Sequence, residues 1–415
     1  MEASVPKLLR LSLTWLAKAA AVAAAFVVAL VAIFFLVMWW EHQTAITLPT
    51  PTGRFAVGRT TYAWTNGSEA DELALSPGSK RQVLVWVWYP AAPSPKDVPT
   101  EYLPSLWRAA LAEQEGMFMR SFFKRNPTLV HTHSVSGATV SPEQRTYPVV
   151  LLRAGGSALT TDFTTLAEDL ASHGFFVVGF DAPYRSFVVV LPDGRVVGRS
   201  PAYHVENANG DLADPIIGKL LKMWTADTTF VVDQLQRLNA DSSEQFAGHM
   251  DLQHLGMFGH SFGGATALEF CHQDSRCKAA LDMDGIPFGR VVPEGLNKPG
   301  MFLLSDHSRE TADPAGRQVR AEIQSIYGRL PNGRLYVVIR TANHFSFSDQ
   351  ILLNSQAAMR LLRLMVGFGG LDGRRGLAIS ADYVHTFFDV YLNGAPVAAM
   401  TNLAGKYEEA HVEGW

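Results

Sequence analysis

Charge and cysteine are both scarce in this chain. Of its 415 residues only 18% are charged, and the balance is −4 with a pI near 6.4. Binding nucleic acid through its phosphates calls for a basic face, so this balance points away from a nucleic-acid partner. The only cysteines are Cys271 and Cys277. Two cysteines spaced this way do not resemble a zinc-site pattern. They leave open a small-loop disulfide or a pair of buried thiols. Internal repeats, low-complexity tracts and a second catalytic unit are also missing, which favours one large domain over two.

What is abundant is apolar surface, at 47% of residues, and part of it is concentrated at the N-terminus. Residues 19–40 read AAAVAAAFVVALVAIFFLVMWW, 22 residues without a charge. That length spans a bilayer core as a helix. Trp39 and Trp40 sit where an interfacial aromatic belt belongs. Lys7, Arg10 and Lys18 precede the run, whereas Glu41 and His42 follow it. This bias predicts a cytoplasmic segment 1–18, a transmembrane helix 19–40, a linker 41–52 and a non-cytoplasmic domain 53–415. A cleaved signal peptide is the rival, but its apolar core is shorter and no small-x-small site follows Trp40.

Beyond the linker, strand and helix patterns alternate. Gln82 to Pro90, Tyr147 to Gly156 and Phe175 to Asp181 read as strands, with an amphipathic helix from Thr160 closed by Gly174. Further along, Ile216 to Ala240 is a long amphipathic helix, and three short strands end in polar residues near Asp282, Asp306 and His344. Phe187 to Gly198 looks like a hairpin about a Pro-Asp-Gly turn. The order predicts an α/β fold, a mostly parallel sheet covered on both faces, with insertions near 91–145 and 182–215. Ligands of such sheets bind at the carboxyl ends of the strands. Trp107, Met117, Phe118, Met119, Phe122 and Phe123 of the first insertion fit either core packing or contact with a lipid headgroup layer.

The chemistry concentrates at Gly259-His260-Ser261-Phe262-Gly263, a G-x-S-x-G match with an apolar strand before it and a helix after it. A strand that turns at once into a helix strains its central residue, and glycine neighbours avoid the clash. Ser261 is thereby the candidate nucleophile, with the helix N-terminus facing a developing oxyanion. A serine needs a base, and in this fold the order is Ser, acid, His. His344, after the last such strand, is the candidate base. Asp282, Asp284 and Asp306 all lie at strand ends, and the residues alone leave the acid open.

The run GHSFGGAT from Gly259 to Thr266 resembles the elbow of the type II platelet-activating factor acetylhydrolases, α/β-hydrolases that cleave short or oxidised sn-2 acyl chains from phospholipids. Residues 147–186 and 335–350 are similar to the same family. The resemblance implies Asp282, in Ala280-Leu281-Asp282, as the acid, with Asp306 as the alternative. It implies backbone N–H donors at Phe262 and Gly156, a lipid ester substrate and no cofactor. The early loop departs from the family, reading Arg153-Ala154-Gly155-Gly156 in place of an S-H-G-type approach. Competing functions are a cutinase-like or general carboxylesterase and a non-catalytic membrane binding protein; the complete triad disfavours the latter. Nothing in the sequence fixes the oligomeric state. His131 and His133 have no acidic or thiol partner nearby in sequence and carry no metal expectation. Asn66-Gly67-Ser68 is a glycosylation sequon, meaningful only in a eukaryotic secretory pathway.

Overall fold

The computed structural model describes residues 7–413 except 93, 95–96, 157, 204–214, 307–313, 332–333 and 367–369. Part of the predicted insertion 182–215 and His307 therefore lie outside the described residues. The chain opens with helix α1 (Lys7–His42). A two-residue strand β1 (Ile46–Thr47) follows, then the long antiparallel pair β2 (Ala56–Ala70) and β3 (Lys80–Ala92). Strand β4 (Val98–Glu101), helix α2 (Ser105–Phe122) and strands β5 (Val130–Ser136) and β6 (Thr139–Val140) fill the first insertion.

The central unit then begins. Strand β7 (Tyr147–Arg153), helix α3 (Thr164–Ser172) and strand β8 (Phe176–Asp181) form a parallel crossover. Gly174, just past α3, has φ +97°, which lets the chain turn into β8. The hairpin of β9 (Val188–Val190) and β10 (Val196–Gly198) forms about Gly194. Helix α4 (Pro215–Ala240), strand β11 (Met250–His260), helix α5 (Phe262–Gln273) and strand β12 (Cys277–Met283) come next. The chain continues through α6 (Val291–Glu294), β13 (Gly300–Leu304), α7 (Pro314–Arg329) and β14 (Leu335–Ile339). It closes with α8 (Gln356–Val366), α9 (Gly373–Leu392), α10 (Ala398–Ala404) and β15 (Ala410–Glu413).

Strands β8, β7, β11, β12, β13 and β14 lie side by side and parallel; β3 and β15 flank them antiparallel. Every residue of β7 and β8 is buried, as expected of strands covered on both faces. The alternation of β7 sorts its side chains. Val150 and Leu152 join α3 and α9 on one face, while Val149 and Leu151 join α4 and α5 on the other. Truncating one of these, as in Leu151→Ala, costs about 2–5 kcal/mol. Cys271 and Cys277 are joined as a disulfide between α5 and β12.

The first insertion resolves the question about its aromatics. Trp107 is buried against Trp86. Phe118, Phe122 and Phe123 clasp α1: Phe35 meets Phe122 edge-on at 4.9 Å, Phe118 at 5.6 Å and Phe123 at 6.2 Å. Helix α2 breaks at Gly116, whose φ of +73° a side chain resists, and this presents Met117, Phe118 and Met119 outward. Across α1, Phe34 and Met38 pack on Ala358 and Leu362 of α8. Within α1, Trp15–His42 is long and apolar enough to cross a bilayer.

Candidate active site

Four non-glycine residues with positive φ occur among the described residues: Tyr184, Ser261, Asp284 and Thr341. All four lie just beyond the carboxyl ends of parallel strands, namely β8, β11, β12 and β14. Each such backbone costs about 1–3 kcal/mol and is kept only where its surroundings demand it. The strain is therefore concentrated on one rim of the sheet.

Ser261 has φ 57° and ψ −127° between β11 and α5. Its N–H donates to the Met283 carbonyl (2.9 Å), and its carbonyl accepts from Gly264 N–H (2.9 Å). The glycines around it are sterically required. A Cβ on Gly259 would lie 2.1 Å from the Gly263 carbonyl, and one on Gly263 would lie 2.1 Å from that of Arg153. Gly155, in the loop after β7, packs against the Ser261 Cβ and His260. Phe262 opens α5, so its N–H belongs to the unpaired first turn of that helix. Gly156 lies one residue beyond Gly155 in the same loop, and residue 157 lies outside the described residues.

His344 begins the turn after β14, whose Asn343 caps it by accepting from Phe345 N–H. Its carbonyl accepts a 2.8 Å bond from His260 Nε2, and the two rings lie 4.3 Å apart. This places His344 against the chain neighbour of Ser261. His344 Nδ1 bonds Asp284 Oδ2 at 2.7 Å. Asp284 is fully enclosed and also accepts from the Ser305 N–H (2.8 Å) and hydroxyl (2.9 Å). Three donors on one carboxylate fix its orientation.

The acid beside the imidazole is thus Asp284, which corrects the expectation for Asp282. Strand alternation ends at Met283, and the left-handed backbone of Asp284 turns its carboxylate toward His344 and Ser305. Asp282 instead sits beneath the elbow. Its Oδ1 accepts from Gly285 N–H (2.9 Å), and its Oδ2 has no hydrogen-bond partner among the described residues. A Cβ on Gly264 would come within 1.9 Å of Asp282 Oδ1. Burial pushes the Asp282 carboxyl well above the ordinary carboxylate range. Asp306 accepts the Thr341 N–H at 3.0 Å, holding the turn after β14. The Asp284-Gly285 pair after an apolar strand is a turn signal that pointed to this geometry. His260 was missed as well. It is buried, its Nδ1 has no hydrogen-bond partner among the described residues, and burial with the neighbouring His344 lowers its pKa to about 3.

Arg153 ends β7 just before the early loop. Its guanidinium is fully buried over the Trp224 ring at 3.9 Å and donates to the Phe180 carbonyl. Burial brings its pKa down to about 10. A cavity of about 370 Å³ adjoins the site at Phe345 and Leu159 and reaches Met119, Phe123 and His42. Burial raises the pKa of Asp162 and Asp349 and pushes that of Glu115 up to about 7.

The family described as platelet-activating factor acetylhydrolase, isoform II, matches residues 226–393, which carry the elbow, Asp284 and His344. A probable 1-alkyl-2-acetylglycerophosphocholine esterase from Arthroderma benhamiae is 23% identical over 396 residues, covering 88% of this chain and 93% of that protein. A platelet-activating factor acetylhydrolase from Cavia porcellus is 24% identical over 237 residues, 52% of each chain. Among solved structures, a ferulic acid esterase from Streptomyces cinnamoneus superposes with a TM-score of 0.71 at 24% identity. It covers 89% of this chain and 100% of its own. Fold and relatives agree: this chain is an ester-hydrolysing serine hydrolase with an α/β-hydrolase fold, similar over residues 226–393 to the platelet-activating factor acetylhydrolases.

Proposed function

We propose that this chain is a membrane-anchored esterase that removes a short sn-2 acyl group from a phospholipid, with Ser261, His344 and Asp284 as its triad. The observation that carries the reading is the pairing of His344 Nδ1 with the buried Asp284 beside the strained Ser261 turn. Ser261 Oγ attacks the ester carbonyl while His344 Nε2 takes its proton. Asp284 holds the imidazole tautomer that leaves Nε2 free and stabilises the imidazolium. The N–H groups of Phe262 and Gly156 receive the oxyanion. The imidazolium then protonates the leaving alcohol, and water, activated by the same imidazole, releases the acid and restores Ser261.

The lipid assignment rests on the substrate named for the Arthroderma benhamiae relative together with the cavity beside Phe345, whose wall of Leu103, Leu111, Met119, Phe123 and Leu159 suits an alkyl chain. Anchoring through α1 rests on its length and composition. A non-cytoplasmic domain is supported by the preceding basic residues and by the disulfide, which persists in oxidising compartments.

The test is a hydrolysis profile of the full chain on 2-acetyl phosphatidylcholine, long-chain phosphatidylcholine and p-nitrophenyl acetate. The 2-acetyl lipid should be preferred, and Ser261→Ala should lose both turnover and fluorophosphonate labelling. Equal turnover of all simple esters with no phospholipid hydrolysis would move the protein to the general carboxylesterases. Labelling that survives in Ser261→Ala would reject the nucleophile.

A further inference from the structure

Helices α3 and α9 pack side by side on the face of the sheet that also buries Leu166 and Leu377. Between them lies a cluster that the ester chemistry does not use. Asp169 and His173 are one turn apart on and just after α3, and His385 is on α9. One ligand atom from each lies within 4.8 Å of the other two.

We propose that Asp169, His173 and His385 form a binding site for a first-row divalent cation of the zinc type. The two imidazoles and one carboxylate are the donor set such an ion selects, whereas magnesium and calcium select oxygen alone. Asp169 Oδ2 lies 2.8 Å from His385 Nδ1 and 4.0 Å from His173 Nε2. A tetrahedral ion with bonds of about 2.0–2.1 Å separates its ligands by about 3.4 Å, midway between those values. The two imidazoles are stacked at 3.8 Å with an 18° interplanar angle, so taking up the ion requires both rings to turn, His385 away from Asp169 Oδ2 and His173 toward it.

The carboxylate is already oriented for it. Asp169 Oδ1 accepts from both the N–H (2.9 Å) and the hydroxyl (2.7 Å) of Thr52, leaving Oδ2 to face the imidazoles; the same hydroxyl lies 2.9 Å from His173 Nε2, a contact that the ion replaces. Outer hydrogen bonds of this kind set the direction of metal ligands. Asp169 is enclosed and His385 nearly so, but a quarter of the His173 side chain is exposed, which gives an entry path and a place for water as fourth ligand. Thr52 ends the linker that follows α1, so a bound ion ties the start of the catalytic domain to α3 and α9. The role is structural, since none of these residues touches Ser261 or His344.

The full chain, kept in detergent and stripped with chelator, is titrated with zinc by calorimetry and with cobalt by visible absorption. One zinc per chain and a four-coordinate cobalt spectrum are expected, with a raised unfolding midpoint. His173→Asn and His385→Asn should each weaken binding at least tenfold and remove the cobalt band, while turnover of p-nitrophenyl acetate without metal is unchanged. Thr52→Val keeps every ligand and should weaken binding roughly 10–100-fold. Undiminished affinity in the two histidine variants would put the ion elsewhere, and absence of one-to-one binding by the wild-type chain would overturn the site. The wild-type cobalt spectrum tests the site even if a variant fails to fold.

Discussion

Two buried carboxylates, one at the rim of the sheet and one at the end of α1, receive nearly the same hydrogen bonds. At the rim of the sheet, Asp284 accepts from His344 Nδ1 and from the N–H and hydroxyl of Ser305. At the end of α1, Glu41 accepts from Arg125 Nη2 (2.6 Å) and from the N–H groups of Asn354 (2.6 Å) and Ser355 (2.9 Å). The difference lies in the cationic partner. Arg125 carries a permanent charge, is 7% exposed, and also donates to the Glu41 and Thr44 carbonyls. The partner of Asp284 is an imidazole, and 39% of the His344 side chain is exposed. One arrangement is closed on every side and fastens α1 to the loop before α8. The other is open on one side and can pass a proton to a reactant.

The strongest way to sharpen this contrast is to neutralise each carboxylate in turn. Asp284→Asn should lower kcat by about 10⁴, the effect of losing the orienting acid in the well-studied serine-protease triad. Asp282→Asn, two residues earlier, should cost less than tenfold, because that carboxyl bonds the Gly285 N–H while the imidazole bonds Asp284. Steady-state kinetics on a soluble acetyl ester decides between them, and the reverse ranking would return the acid to Asp282.

At the other end the expected loss is in stability. Glu41→Ala leaves Arg125 buried without its partner, which costs about 3–5 kcal/mol. Denaturant unfolding in detergent should show this loss, with kcat on the soluble ester unchanged while the chain is folded. A fall in kcat of similar size to that of Asp284→Asn would mean that the clasp shapes the active site and that the two ends are not independent. The same contacts imply that a soluble form cut before Glu41 is safer than one cut after His42.

Much of this division was legible in the sequence, and the unread part has physical causes. The buried strands β7 and β8, the elbow and His344 follow from apolar runs, glycine spacing and chain order, all of them local signals. The acid does not, because Asp282 and Asp284 end the same strand and only the left-handed backbone at Asp284 separates them. The clasp was invisible for another reason. Phe118, Phe122 and Phe123 have helical spacing, but their partner Phe35 is some 80 residues away within the apolar run. Strand β2 was also missed, since one of its edges is exposed and its polar residues outnumber its apolar ones.

A pH experiment probes the open end further. His260 has a folded pKa of about 3, below its ordinary value near 6.5, because burial and His344 disfavour its charge. The unfolded chain therefore binds more protons between those values, and stability falls as pH drops through that window. The slope for one group is at most about 1.4 kcal/mol per pH unit. His260→Gln should remove that part of the acid sensitivity, seen as a flatter difference curve of unfolding free energy from pH 6.5 down to pH 4. Identical slopes would show that His260 is protonated in the folded chain.

The smallest effect is expected where the clasp meets its surroundings. Phe118 is half exposed yet touches Phe35, so it serves both as packing for α1 and as outward apolar surface beside Met117 and Met119. An aromatic pair adds about 0.5–1.5 kcal/mol beyond its buried area. Phe118→Ser should cost about that much in unfolding free energy, far less than Glu41→Ala, because no charge is stranded. Met117→Ser, at a site 83% exposed, should leave stability unchanged. If the outward surface rests in a lipid headgroup layer, both variants should lower turnover of phospholipid in vesicles while sparing the soluble ester. Vesicle turnover that follows stability alone, falling for Phe118→Ser and not for Met117→Ser, would confine the aromatics to holding α1 in place.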